Sequence, residues 1–253
     1  MRQMSKTARI AVRRLRLISA AVVLACPTLA PAREALSPVA ASEEAPADAA
    51  APSFLSPLPA HATRANFLDE AASQDARQVA NWAVSSGDNN GLPFMIIDKI
   101  RAKVFVFDSA GRLRGATLAL LGRARGDDTV PGIGSRRLAT IRPEERTTPA
   151  GRFVAVLGHD FDRDILWIDY GAAISLHRVI TGDPGDHRLQ RLATTSTVDK
   201  RISYGCINVP VKFYETVVLE TFSGGTGIVY ILPEVKTLHD VFPLAEVDAP
   251  SRQ

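Results

Sequence analysis

Hydrophobic and polar positions change their spacing along the chain near residue 90. Across 66–85, apolar residues recur at helical spacing and Gly87 follows them, which predicts an α-helix. Beyond it, apolar residues form short runs separated by Gly, Pro, Asp and Ser, which is typical of β-strands joined by turns. This order favours a mainly β sandwich or barrel with short helices over a parallel α/β sheet. The predicted strands are 94–98, 103–107, 113–121, 151–157, 165–170, 172–179 and 227–232, and a second helix is predicted at 211–221.

The first 32 residues have the order of charges and apolar residues of a secretory signal peptide. Six basic residues precede an apolar run at 17–25, and Ala30 and Ala32 follow as the small residues of a cleavage site. The run is well short of the roughly 20 residues that a membrane-spanning helix needs. We therefore expect export to the periplasm with cleavage near Ala32, so that contact with a membrane is made only through an uncleaved or lipidated leader.

Two other interpretations of this leader remain open. Residues 23–26 resemble a lipoprotein box, which would anchor the protein through a lipidated Cys26, although Pro27 after the cysteine is awkward. Arg13 and Arg14 resemble the pair of a twin-arginine signal, although the residues around them fit poorly.

Composition divides the remainder of the chain into four segments. Residues 33–62 are rich in Ala and Pro and have no apolar periodicity, so we expect a disordered linker. A helical lead-in at 63–91, a main domain at 92–233 and a C-terminal tail at 234–253 follow. The six basic residues of the leader exceed the net charge of +3, so the exported protein is near neutral or slightly acidic. Nucleic acid is therefore not an expected partner.

Cys206 is the residue that most strongly suggests chemistry. Once the leader is cut it is the only cysteine, which excludes an intramolecular disulfide. Free cysteines are commonly buried and inert, but Cys206 follows Gly205 in a turn, and His177 ends an apolar strand. A thiol becomes a strong nucleophile when a base lowers its pKa, and His177 is the natural base. Backbone N–H groups of residues 204–206 can converge on a developing oxyanion.

Five segments resemble, in the same order, motifs of the L,D-transpeptidase catalytic domain, also called the YkuD domain, of bacterial cell-wall enzymes. The resemblance covers 92–233 and implies a YkuD-like β-sandwich or barrel that uses no metal and no organic cofactor. The matching segments are the strand–turn–strand at 95–113, Thr148-Pro149-Ala150-Gly151-Arg152-Phe153 (TPxGxF), His177 at a strand end, Ser203-Tyr204-Gly205-Cys206-Ile207-Asn208 (S-H-G-C-x-[RN]) and the closing strand at 224–231.

The resemblance also implies a role for each site residue. Cys206 is the nucleophile, His177 is the base, the backbone carbonyl of Arg178 orients that base, and Gly205 shapes the oxyanion turn. The implied substrate-binding residues are Ser203, Tyr204 and Asn208.

The implied reaction is acyl transfer between peptidoglycan stem peptides. The thiolate attacks the third residue of a stem tetrapeptide at the L-centre of its diamino acid, the terminal D-alanine leaves, and the thioester passes to an acceptor. The acceptor is a second stem, the lysine of an envelope lipoprotein, or water; the sequence does not choose among them. The alternative from another class is a non-catalytic peptidoglycan-binding domain on the same fold.

Two departures from the family pattern concern the residues around Cys206. Tyr204 stands where the family usually has His. His177 lies 29 positions before Cys206, which is further than is usual in the family. His187 lies 19 positions before Cys206, which matches the usual distance better. We nevertheless predict His177 as the base, because it ends a strand while His187 lies in a turn-rich stretch, and we infer an insertion within 182–200.

Overall fold

Ten β-strands form the framework of residues 64–244, the part of the chain that the computed structural model describes. Eight of them make one nearly closed sheet, and the helices are short. The predicted mainly β class is thus confirmed. The predicted signal peptide, the linker and the end of the C-terminal tail lie outside the described residues. Among the helices of residues 64–244, none is long and apolar enough to span a membrane.

Helices and strands follow one another in the order expected from the sequence, with short additional elements. The strands are β1 Phe94–Asp98, β2 Lys103–Phe107, β3 Leu113–Leu118, β4 Leu121–Gly122, β5 Gly151–Asp160, β6 Arg163–Asp169, β7 Ile174–Arg178, β8 Arg201–Ser203, β9 Ile207–Val209 and β10 Thr226–Ile231. The helices are α1 Gln74–Ser85, α2 Arg188–Ala193, α3 Val211–Phe213, α4 Leu219–Phe222 and α5 Leu238–Val241, with a π-helical stretch Tyr214–Val218 between α3 and α4.

The main sheet has the strand order β3-β2-β1-β10-β5-β6-β7-β9, and β4 pairs with β8 in a separate small sheet. Most neighbouring strands of the main sheet are antiparallel, but β1 with β10 and β7 with β9 are parallel, as are β4 and β8 in the small sheet. A parallel pair needs a crossover connection. The segment that connects β7 to β9 contains the predicted insertion, and β9 forms the edge of the sheet beside β7.

Both faces of the sheet are covered, which explains why every residue of β1 is buried. Alternate side chains of a strand point to opposite faces. Phe94 and Ile96 pack in the cluster that includes α1, whereas Met95 and Ile97 pack in the cluster that includes Tyr214 of the π-helical stretch. The sheet is therefore the middle layer between α1 and the α3–α4 segment.

Helix α1 is shorter than the sequence predicted, because it begins at Gln74 instead of near residue 66. The Ser73 side chain caps it by accepting from the Ala76 N–H at 3.1 Å. Asn66 instead pairs with the backbone beside Arg112, and Leu68 adopts a left-handed φ of 52°. Local apolar spacing is helical here, but pairing with the sheet edge outweighs it.

A buried ion pair joins the loop after β1 to the loop before β5. The Lys99 ammonium donates to Asp127 Oδ1 at 2.6 Å and to the Thr148 carbonyl at 2.8 Å, and both charged side chains are essentially unexposed. Asp127 also accepts the backbone N–H groups of residues 234–236. Burial raises the pKa of Asp127, but these N–H groups and Lys99 outweigh it and lower the pKa to about 2.

Residues after 233, predicted as a tail, contain helix α5 and pack against the domain. Phe242 is buried beside Trp82 and Tyr230, with ring centroids at 6.3 Å and 6.1 Å. The start of this segment thus completes the cluster around α1.

We expect Asp127→Asn to lower the free energy of unfolding by about 3 kcal/mol near pH 7, because the buried Lys99 loses its hydrogen-bonded counter-charge and keeps only Glu234, at 3.8 Å. The pKa of Asp127 is lower in the folded chain than in the unfolded one, so its contribution is present above the unfolded pKa and is lost as the pH falls through about 2. Urea unfolding of both proteins between pH 7 and pH 2 measures this, and the difference should shrink at low pH. A constant difference would contradict the assignment to the Asp127 charge.

Candidate active site

Four polar side chains share one face at the β7–β9 edge of the sheet. The parallel register pairs His177 with Asn208. Because side chains alternate with a period of two, Ser175 and His177 of β7 face the same side as Cys206 and Asn208. The Ser175 hydroxyl donates to the Cys206 sulfur at 3.5 Å, in agreement with this register. The sheet therefore brings the predicted nucleophile and the predicted base together.

The His177 imidazole is oriented by the Arg178 carbonyl, the group that the family resemblance implied. Its Nδ1 lies 2.7 Å from the Arg178 carbonyl oxygen, so Nδ1 carries the proton and donates. The other ring nitrogen, Nε2, therefore keeps the lone pair that can accept the proton of the Cys206 thiol. The Arg178 side chain is held elsewhere, by Asp164 and Glu215, so its contribution to the site is made through the backbone.

The pKa values of Cys206 and His177 shift toward each other. Burial raises the pKa of Cys206, but the hydrogen bond and charge of His177 and the bonds from Ser175 outweigh it, and the pKa is lowered. Burial lowers the pKa of His177, but the bond and charge of Cys206 and the Arg178 carbonyl outweigh it, and the pKa is raised even against the charge of Arg188. A thiolate formed in this way is nucleophilic near neutral pH.

The turn that presents Cys206 requires glycine at position 205. Gly205 has a φ of 136°, and a Cβ there would lie 2.7 Å from both Ile174 Cδ1 and the Thr147 carbonyl oxygen. Ser203 holds the turn closed: its hydroxyl accepts from the Gly205 N–H at 3.1 Å and donates to the Cys206 carbonyl at 2.6 Å. The Gly205 N–H is thus already partnered, which leaves the N–H groups of Tyr204 and Cys206 as the donors for an oxyanion.

Thr148 supports the same turn through a side-chain hydrogen bond. Its side chain is fully buried, accepts from the Gly122 N–H at 2.9 Å and donates to the Gly205 carbonyl at 2.7 Å. In a trans peptide the C=O and the next N–H point to opposite sides, so this bond directs the Cys206 N–H away from Thr148. Thr148 was part of the quoted motif, but nothing in its spacing showed that it contacts the turn.

Tyr204 is half-buried and lies under an arginine. The Arg146 guanidinium is 3.9 Å from the centre of the Tyr204 ring and also donates to the Ile141 carbonyl. The tyrosine in place of the family's usual histidine therefore brings a cation to the border of the turn.

Asn208 connects the turn to the segment inserted between β7 and β9. Its Nδ2 lies 3.3 Å from the Cys206 carbonyl, and its Oδ1 accepts from Arg188 at 2.9 Å. Arg188 begins helix α2, so the predicted insertion lies beside the site. Sequence reasoning missed Arg188 and Ser175; the period of two from His177 was the available signal for Ser175.

The second candidate base, His187, lies apart from this arrangement. It is exposed, has a left-handed φ of 50° and precedes helix α2. The structure thus brings His177, and not His187, to the side of Cys206.

Residues 64–244 contain no group of three or more His, Cys, Asp or Glu side chains placed to hold a metal ion. The polar groups around Cys206 are, instead, a thiol, an imidazole, hydroxyls, an amide and backbone groups, which suit proton transfer and covalent acyl chemistry.

Comparison with known proteins finds similar solved structures, while no family model and no curated protein matches the chain. One is the helical cell shape determining protein Pgp2 from Campylobacter jejuni, with 14% identity and a TM-score of 0.38 over 58% of this chain and 49% of that one. An L,D-transpeptidase from Enterococcus faecium has 16% identity and a TM-score of 0.32 over 55% of this chain and 49% of that one. An L,D-transpeptidase from Mycobacterium smegmatis has 14% identity and a TM-score of 0.30 over 55% of this chain and 58% of that one.

The matches cover about half the length of these solved proteins. Several are L,D-transpeptidases, the family that the sequence motifs resemble.

We expect His177→Ala to raise the pH at which Cys206 becomes reactive, because the variant removes the bond and charge that stabilise the thiolate. Alkylation by iodoacetamide at pH 6 should slow by about tenfold or more, since a free cysteine has a pKa near 8.5. The measurement is the alkylation rate against pH, with Cys206 followed by peptide mass mapping. His187→Ala is the matched control and should leave the profile unchanged. A shifted profile in His187→Ala, with none in His177→Ala, would contradict the assignment of His177 as the base.

We expect Thr148→Val to lower acyl transfer while leaving thiol reactivity intact, because the Gly205–Cys206 peptide loses the bond that holds its plane. Losing one oxyanion donor costs about 10²–10³ in kcat. Kinetics of acyl transfer and of iodoacetamide alkylation, measured on the same preparations, separate the two effects. Thr148→Ser, which keeps the hydroxyl, should restore most of the activity. An equal loss in both variants would indicate a purely packing role.

Proposed function

We propose that this chain is a cysteine acyltransferase of the L,D-transpeptidase type that acts on the stem tetrapeptides of peptidoglycan. The observation that carries the proposal is the pairing of Cys206 with an imidazole whose far nitrogen is held by the Arg178 carbonyl. A nucleophile, a base and a group that orients the base are the parts that covalent acyl transfer requires. The order of the sequence motifs supplies the substrate class.

The first half of the reaction forms a thioester. The Cys206 thiolate attacks the carbonyl carbon of the third stem residue, and the oxyanion that develops accepts from the N–H groups of Tyr204 and Cys206. As the tetrahedral intermediate collapses, the bond to the D-alanine nitrogen breaks. His177, which carries the proton taken from the thiol, gives it to that nitrogen, and D-alanine leaves.

The second half returns the enzyme to its starting state. An acceptor amine attacks the thioester carbonyl and loses its proton to His177, and the bond to sulfur breaks. The Cys206 thiolate then again faces an imidazolium. An acceptor on a second stem cross-links the wall, a lysine anchors a lipoprotein, and water in place of the amine yields a tripeptide. We propose that this takes place in the periplasm, to which the predicted leader directs the chain.

A non-catalytic wall-binding domain is the alternative that the same fold offers. Such a domain has no need for a lowered thiol pKa or for a base held in one tautomer. The hydrogen bond of Ser175 to Cys206 and that of His177 to the Arg178 carbonyl therefore favour the enzyme.

The test is incubation of the protein with purified disaccharide-tetrapeptide, followed by mass spectrometry of products and protein. We expect release of D-alanine, a thioester adduct on Cys206, and a cross-linked dimer or a tripeptide according to the acceptor. Cys206→Ser should reduce D-alanine release by about 10³-fold or more, because no thioester can form. His187→Ala serves as the control that remains active. Binding of tetrapeptide without any release of D-alanine would favour the wall-binding alternative.

A further inference from the structure

Helix α2, within the predicted insertion, is firmly held against the sheet beside the site. Leu192 packs with Leu120 and Val179 in a small buried cluster. The buried ammonium of Lys200 donates to the carbonyl oxygens that end the helix, those of Arg191, Leu192 at 2.9 Å and Thr194 at 2.5 Å. A buried lysine is costly unless its hydrogen bonds are satisfied, so α2 is an anchored element and its first residue, Arg188, has a defined place.

The Arg188 guanidinium is oriented on two sides and open on a third. Its Nε donates to Asp186 at 2.8 Å and its Nη1 donates to Asn208 at 2.9 Å. Nη2 has no hydrogen-bond partner within residues 64–244, and 17% of the side chain is exposed. A planar guanidinium that is fixed in this way and keeps unpartnered N–H groups can donate them to a carboxylate.

Arg188 is linked through Asn208 to the His177 side of the site. It bonds to Asn208, whose register partner is His177, the residue that must reach the leaving nitrogen. The carboxylate of a terminal amino acid is only two bonds from its own nitrogen. A leaving amino acid whose nitrogen meets His177 therefore brings its carboxylate to the neighbourhood of Arg188.

We propose that Arg188 is the carboxylate-binding residue of this site and that it selects acyl donors whose leaving residue ends in a free carboxylate. The naming of the donor rests on the proposed function, whereas the anion-binding property of Arg188 does not. The charge of Arg188 also acts on the catalytic pair, since it is among the causes that act on the pKa of His177.

The first test compares two alkylating agents of similar size on Cys206, anionic iodoacetate and neutral iodoacetamide. Both react with the same thiolate, so the ratio of their rates reports attraction of an anion and cancels changes in thiol pKa. At low ionic strength, Arg188→Gln should lower the iodoacetate-to-iodoacetamide ratio about fivefold. Arg188→Lys should keep most of the ratio, because the charge remains. Arg101→Gln, an exposed arginine in the β1–β2 turn several strands away, is the matched control and should change nothing.

A second variant tests the same charge from the opposite direction. Asp186→Asn removes the counter-charge beside Arg188 and should raise the ratio about twofold. This variant decides the matter if Arg188→Gln does not fold. A ratio that stays unchanged in the folded variants, or an equal fall with both reagents in Arg188→Gln, would overturn the proposal and leave Arg188 as a support for Asn208.

The second test uses the acyl donor itself, with its terminal carboxylate free or converted to a carboxamide. In the wild type the carboxamide should lower kcat/KM about tenfold, and in Arg188→Gln by less than twofold. Equal discrimination in both proteins would overturn the assignment of the carboxylate. Absence of acyl transfer in the wild type would refute the proposed function, while the alkylation ratio would still decide whether Arg188 attracts an anion at Cys206.

Discussion

The parallel pairing of β7 with β9 is the constraint on which the candidate site depends. Two strands in this register place every second side chain of each strand on a common face, so Cys206 meets Ser175 and His177 meets Asn208. The opposite faces carry Leu176 and Ile207, which are fully buried. Burial of those two side chains leaves the polar set no other side to occupy, so the core of the domain also fixes the site.

A second requirement is a fixed orientation of the Gly205–Cys206 peptide plane. Gly205 permits the turn but does not hold it, since glycine has more backbone freedom than any other residue. The holding groups are the hydroxyls of Ser203 and Thr148, and Thr148 is in turn bonded through its carbonyl to Lys99. The buried ion pair of Lys99 and Asp127 is thus connected through Thr148 to the turn that carries Cys206. The same hydrogen bonds contribute to the stability of the domain and to the geometry of the candidate site.

The connection between β7 and β9 combines an anchored helix with a site residue. A parallel crossover needs a dozen or more residues, and here part of that length forms α2, which is clamped by Lys200 and carries Arg188 to Asn208. The extra spacing between His177 and Cys206 therefore has a structural use, since it supplies a guanidinium to the edge of the sheet.

Strands and candidate site residues could be predicted from the sequence alone, because alternation of side chains, turn chemistry and the type of residue at a turn are local properties. The thiol on its glycine turn, and a histidine at the end of an apolar strand, could be named from position alone. The register of β7 with β9, a tertiary feature, places His177 beside Asn208, while His187 is exposed before α2, in agreement with the choice of His177 made from strand context. Tertiary contacts also make α1 begin at Gln74 despite the helical spacing before it, and they bring Thr148 to Gly205, Ser175 to Cys206 and Arg188 to Asn208. Those contacts arise from strand pairing and buried hydrogen bonds between residues far apart in sequence, which no local pattern contains.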